Sequence, residues 1–162
     1  MADSPSPEEM TLWQRRLAAQ ANNRAWRLSE STSRTPQEDE EMLQAAHAAM
    51  HFWKIVGTVG NHAHAAQLVA HVYALLKLPG PAQYYLAKSE PFFLGQECEP
   101  WERACALAVK ASVASAAGQS QVHARTYREA EQLIAALPDP EDREILYATL
   151  RVIRVPDPSN VA

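Results

Sequence analysis

A chain of 162 residues with 47% hydrophobic content suits one domain, with a core that needs no disulfide or metal to fold. Its net charge of −4 gives no electrostatic reason to bind nucleic acid or an anionic membrane. The two cysteines, Cys98 and Cys105, would stand about 10 Å apart on a single helix, too far for a disulfide, and read as inert thiols in a reducing compartment. Met1 to Pro7 is acidic and rich in proline and serine, unlike a signal peptide. No apolar run approaches the ~18 residues of a membrane span. The expected location is the cytoplasm.

Residues 1–6 read as a disordered N-terminus. Ser6-Pro7-Glu8-Glu9 is a capping-box start for a first helix over residues 7–29. That helix has two apolar sides, one with Leu12, Ala19, Asn23 and Trp26, the other with Trp13, Leu17, Ala21 and Leu28. Two apolar sides imply two neighbours. Asn23 is expected as a buried, hydrogen-bonded amide. Thr35-Pro36-Gln37-Glu38 repeats the capping signature and opens a second helix over residues 36–56. Its apolar stripe is Met42, Ala45, Ala46, Ala49, Trp53 and Val56. Gly57 then suits a left-handed helix end. Arg15, Arg16, Arg24 and Arg27 are expected to answer the acids of Glu38 to Glu41.

A third helix is expected from a cap at Asn61 to just before Pro79, with Leu68, Val72 and Leu75 buried. A fourth begins at Pro81 and should break or kink at Pro91, leaving Phe92-Phe93-Leu94-Gly95 as an apolar anchor. The fifth runs from Pro100 to Gly118. The sixth runs from a cap at Ser120 to Leu137, and the seventh from Pro140 to about Arg154. Residues 155–162 read as a flexible tail. No stretch alternates like a strand, so the fold class is all-α, with about seven antiparallel helices in one domain over residues 7–154. The second and third helices read as its buried centre.

The hairpins of helices three with four and five with six recur at roughly 35–40 residues, a helix-pair period. The segments Asn61 to Gly95 and Pro100 to Leu137 resemble degenerate tetratricopeptide repeats. Each has a small-residue first helix, a turn with glycine (Gly80, Gly118) and a second helix mixing alanine with aromatics. The family's Trp-Leu-Gly signature is absent. Residues 10–150 also resemble a set of uncharacterised bacterial proteins of the same plan. That likeness rests on Asn22 to Trp26, Arg34 to Met42, Ala45 to Ala48, Val56-Gly57, Val72 to Ala74 and Asp139 to Arg143. The resemblance implies a TPR-like helix-hairpin stack, an α-α superhelix, whose pairs bury each other's apolar faces.

Five of the six histidines fall between His47 and His71. At about 100° per residue, Gln44, His47 and His51 share one stripe of the second helix, and His64, Gln67 and His71 share one of the third. Convergence of the stripes would make a polar pocket or a site for a transition metal such as zinc at His47, His51, His64 and His71. Closure through the apolar stripes would instead point the second helix's histidines away from the third. No recognised catalytic or phosphate-binding motif occurs. The expectation is therefore a helical scaffold that binds a protein or peptide partner, or its own copy, through a groove, with no cofactor and no catalysis. The candidate contact residues are the four histidines with Gln44, Gln67 and Asn23. The alternative is a metal-binding or small-molecule protein built on the histidines.

Overall fold

The structure, a computed structural model, describes residues 4–158. Part of the expected disordered N-terminus (residues 1–3) and part of the expected tail (residues 159–162) lie outside the described residues. Seven helices and no strand occur among the described residues: α1 Pro7–Ser29, α2 Pro36–Val56, α3 Val59–Leu75, α4 Pro79–Phe93, α5 Pro100–Ala116, α6 Ser120–Ala136 and α7 Pro140–Arg151. No helix among them is long and apolar enough to cross a membrane.

Capping chemistry sets the early boundaries. Ser6 and Glu9 close a capping box at α1, and Thr35 and Glu38 close one at α2. The third helix starts earlier than Asn61. Thr58 is its cap, accepting from the Asn61 N–H at 3.3 Å, while Asn61 Oδ1 accepts from the Thr58 N–H at 2.9 Å. An Asx side chain serves here as the box's return acceptor, so Val59 and Gly60 join the first turn. Gly57 is not left-handed. It is extended (φ −90°, ψ 170°), and it is small because a Cβ there would lie 2.5 Å from the Trp53 carbonyl oxygen.

Hairpins α1–α2, α3–α4 and α5–α6 stack, with α7 closing the end. The odd-numbered helices also pack on one another in sequence, α1 on α3, α3 on α5 and α5 on α7. The repeat is regular: Val59, Leu75 and Pro79 correspond to Pro100, Ala116 and Ser120 at a constant offset of 41 residues. That replaces the 35–40 inferred from the sequence. The two turns match as well. The Leu78 N–H donates to the Tyr73 carbonyl and that of Lys77 to Ala74, just as Gln119 donates to Ala114 and Gly118 to Ser115. This is the Schellman pattern, which needs a left-handed residue. Gly118 (φ 71°) fills it in the second repeat, and Lys77 (φ 61°) fills it in the first.

The buried centre is α3 with α5, and not α2 with α3. Every residue from Ala65 to Val72 is buried, as is every residue from Ala104 to Val109. A helix apolar all round needs neighbours all round, and α3 has α1, α2, α4 and α5. Alanine lets those neighbours approach closely. On α2 only Met42, Ala46 and Ala49 are buried, and Trp53 is half-buried. The N-terminal half of α1 lacks the second neighbour expected for it: Met10, Trp13 and Leu17, one stripe of that helix, are exposed, Trp13 by 56%.

Pro91 does not break α4, which continues to Phe93. The proline sits in the last turn, where loss of one N–H bond is cheapest, and the fully buried Phe93 anchors that turn. The later boundaries shift slightly. α4 starts at Pro79, α5 stops at Ala116, Gln119 is the residue before α6, and α7 stops at Arg151. Of the arginines on α1, Arg24 meets Glu41 through two hydrogen bonds of 2.6 and 3.0 Å. Arg15 instead donates to the Val56 carbonyl, and Asp39 is met by Arg34 at 2.6 Å. The Arg24–Glu41 pair is exposed, so solvent screens it and it adds little to stability.

Two substitutions test this backbone reading. Lys77→Gly removes a left-handed side chain and should stabilise by about 1 kcal/mol in urea unfolding. Gly57→Ala should destabilise by about 1–3 kcal/mol, because its Cβ would also meet Asn61 Cβ at 2.8 Å.

Candidate functional site

The histidines do not share one seam. α3 divides them between two cavities and the wall between. His47 and His51 border a cavity of about 810 Å³ between α2, α3 and α4, together with His62, Lys54 and Lys88. His47 points towards α3, contrary to expectation, because its Nε2 meets the Tyr73 hydroxyl at 2.9 Å. Tyr73 stacks on Tyr85, so these rings draw His47 inward. Gln44 stays outside, donating to Glu40 at 3.1 Å on its own helix. Among the described residues no carboxylate lines this cavity.

His64 and Gln67 face the other way, into a groove of about 490 Å³ where α1, α3, α5 and α7 meet. His64 Nε2 is 2.8 Å from Glu102 Oε1, and its ring stacks on Trp101 at 5.6 Å and 10°. Trp101 and Trp26 wall the groove, with Trp53 entering from the end of α2. Gln67 is 1% exposed and its Nε2 lies 3.2 Å from Cys105 Sγ. Gln67 Oε1 has no hydrogen-bond partner among the described residues. His71, one turn on, is fully buried, stacks on Trp26, and among the described residues has a hydrogen-bond partner at neither ring nitrogen.

Two carboxylates, Glu30 at the end of α1 and Asp142 on α7, line the groove, and no lysine or arginine does. Neither acid is ion-paired among the described residues. Burial raises the Glu30 carboxyl above its ordinary pKa, opposed by Arg151, which is itself held by Glu144 at 2.9 Å. Burial pushes the Cys105 thiol up to about 12, so it stays protonated and unreactive at neutral pH. His71 is pushed down to about 4, first by burial and then by the charge of Arg34.

No group of three or more His, Cys, Asp or Glu side chains placed to hold a metal occurs among the described residues. Shared ligation by His47, His51, His64 and His71 therefore has no geometry behind it. Asn23 is exposed and not buried, near only its neighbour Asn22 at 3.4 Å. Asn22, one position earlier, is the α1 amide that lines the groove. Sequence reasoning missed Trp26, Glu30, Trp101 and Asp142 as site residues. Their signal was topological: the first helices of stacked hairpins pack on one another, which brings Trp26 and Glu30 of the α1 end to the same groove as Trp101 of α5 and Asp142 of α7. No protein-family model, curated protein or solved structure matches the chain.

His71 makes stability depend on pH. Its folded pKa lies below the ordinary 6.5, so the unfolded chain binds the proton more tightly. The stability is whole above about pH 6.5 and is lost as pH falls towards 4, by about 3 kcal/mol in all. His47 and His123 shift in the same direction. His71→Leu also removes two unpartnered atoms. Urea titrations should find it no less stable than the parent at pH 7.5 and clearly more stable at pH 4.5.

Proposed function

We propose that this chain is a tetratricopeptide-like scaffold whose groove between α1, α3, α5 and α7 binds an extended segment of a protein partner, without catalysis. The carrying observation is that Trp26, Trp53 and Trp101, three of the four tryptophans, reach one cavity from three helices. Tryptophans are the side chains that most often anchor a partner, and here they stand around polar groups that could orient one. Stacked helix pairs offer such grooves generally, which is an argument from analogy. The 41-residue offset is longer than the ~34 residues of a tetratricopeptide unit. The likeness therefore lies in the stacking of hairpins rather than in the length of the repeat. The inert Cys105 thiol and the division of the histidines support binding over chemistry.

Backbone and side-chain amide NMR with a randomised pool of acetylated heptapeptides tests this. Shifts should concentrate at Asn22, Gln67 and the Trp26 and Trp101 indoles, and Trp101→Ala should weaken the response about tenfold. Shifts confined to the cavity around His47 and Tyr85, or a groove covered by a second copy in sedimentation, would contradict it.

A further inference from the structure

The groove's chemistry also selects what its occupant carries. We propose that its floor is a cation subsite that takes the guanidinium of an arginine side chain, an inference that rests on the peptide-groove reading. Three independent features point there. Among the described residues, Glu30 and Asp142 line one cavity with no ion pair and no lysine or arginine in its lining. Gln67, 1% exposed and lining the same cavity, holds an amide oxygen with no donor. Trp26 and Trp101 supply flat π faces, and the His64–Trp101 stack holds the second at a fixed angle.

A ligand that answers all three must carry positive charge, several N–H donors and a flat face. The guanidinium has each of these, whereas an ammonium lacks the plane. An anionic headgroup would meet two carboxylates in the same groove. His71 does not oppose the cation, because it is neutral at pH 7 and stands behind Trp26. Arg151, whose charge reaches Glu30 from outside the groove, is itself paired with Glu144, and Arg34 is paired with Asp39. Among the described residues His64 is the one imidazole that lines the groove, and its Nε2 is engaged by Glu102. Turning the Gln67 amide over would put an N–H donor in the oxygen's place, but the two acids still favour an incoming donor.

The probes are acetylated, amidated heptapeptides of glycine, serine and alanine with one central arginine, citrulline or lysine, read by tryptophan fluorescence at pH 7.5. Citrulline keeps the shape and removes the charge. The arginine peptide should bind at least tenfold tighter than the citrulline peptide and severalfold tighter than the lysine peptide. Glu30→Gln combined with Asp142→Asn should abolish the preference, and Gln67→Met should weaken arginine binding severalfold. Equal affinity for arginine and citrulline would overturn the cation subsite and leave the groove standing. Equal affinity for lysine would overturn the guanidinium assignment. Free Nα-acetylarginine amide matching the peptide would replace the protein segment by a small guanidino compound. No response to any peptide up to several millimolar would bring down the groove and the subsite together.

Discussion

The structure depends on one buried helix. α3 is buried through its middle two turns and packs against four other helices. Full burial of Leu68, Val69 and Val72 contributes roughly 1.5–3 kcal/mol each. Alanines at 63, 65, 66, 70 and 74 keep the neighbouring backbones close. Because α3 is central, its polar residues cannot turn to water. His71 and Gln67 are therefore fixed where their chemistry is costly, at about 1–3 kcal/mol for each buried group left unpaired. Costs of that kind in a core are tolerated where they serve binding or specificity.

The same helix separates two surfaces of opposite character. Towards α2 and α4 lies a cavity with three histidines, two lysines and no carboxylate. Towards α5 and α7 lies the tryptophan-walled groove with two unpaired acids and no lysine or arginine. The hairpin topology produces this division. α3 contributes to both cavities, so the face a residue occupies on that helix decides which cavity it joins, and Trp53 reaches the groove from the end of α2.

Much of the fold was legible in the sequence because helix punctuation is local. Ser6, Thr35 and Asp139 each cap where expected, and seven helices in the expected order follow. The exceptions have physical causes. Asn61 shares a box with Thr58, so a good cap residue sits inside the helix. Pro91 falls in a last turn, where it removes little, and Lys77 adopts a conformation that composition would assign to glycine. The site was less legible because it depends on which helices meet. Wheel angles placed His64 and Gln67 on one stripe correctly, but they could not show that His47 would answer Tyr73 or that His71 would lie under Trp26. An even apolar distribution around α3, rather than its strongest stripe, was the better sign of the true centre.

The central position of α3 is tested most directly by native-state hydrogen exchange. Amides from Ala65 to Val72 should exchange only through global unfolding, sharing one free energy and one denaturant dependence with the slowest amides of α5. Exchange of that α3 segment through local opening, as fast as the exposed turns of α2 or α6, would contradict the placement of α3 at the core and remove the rigid floor on which the groove depends.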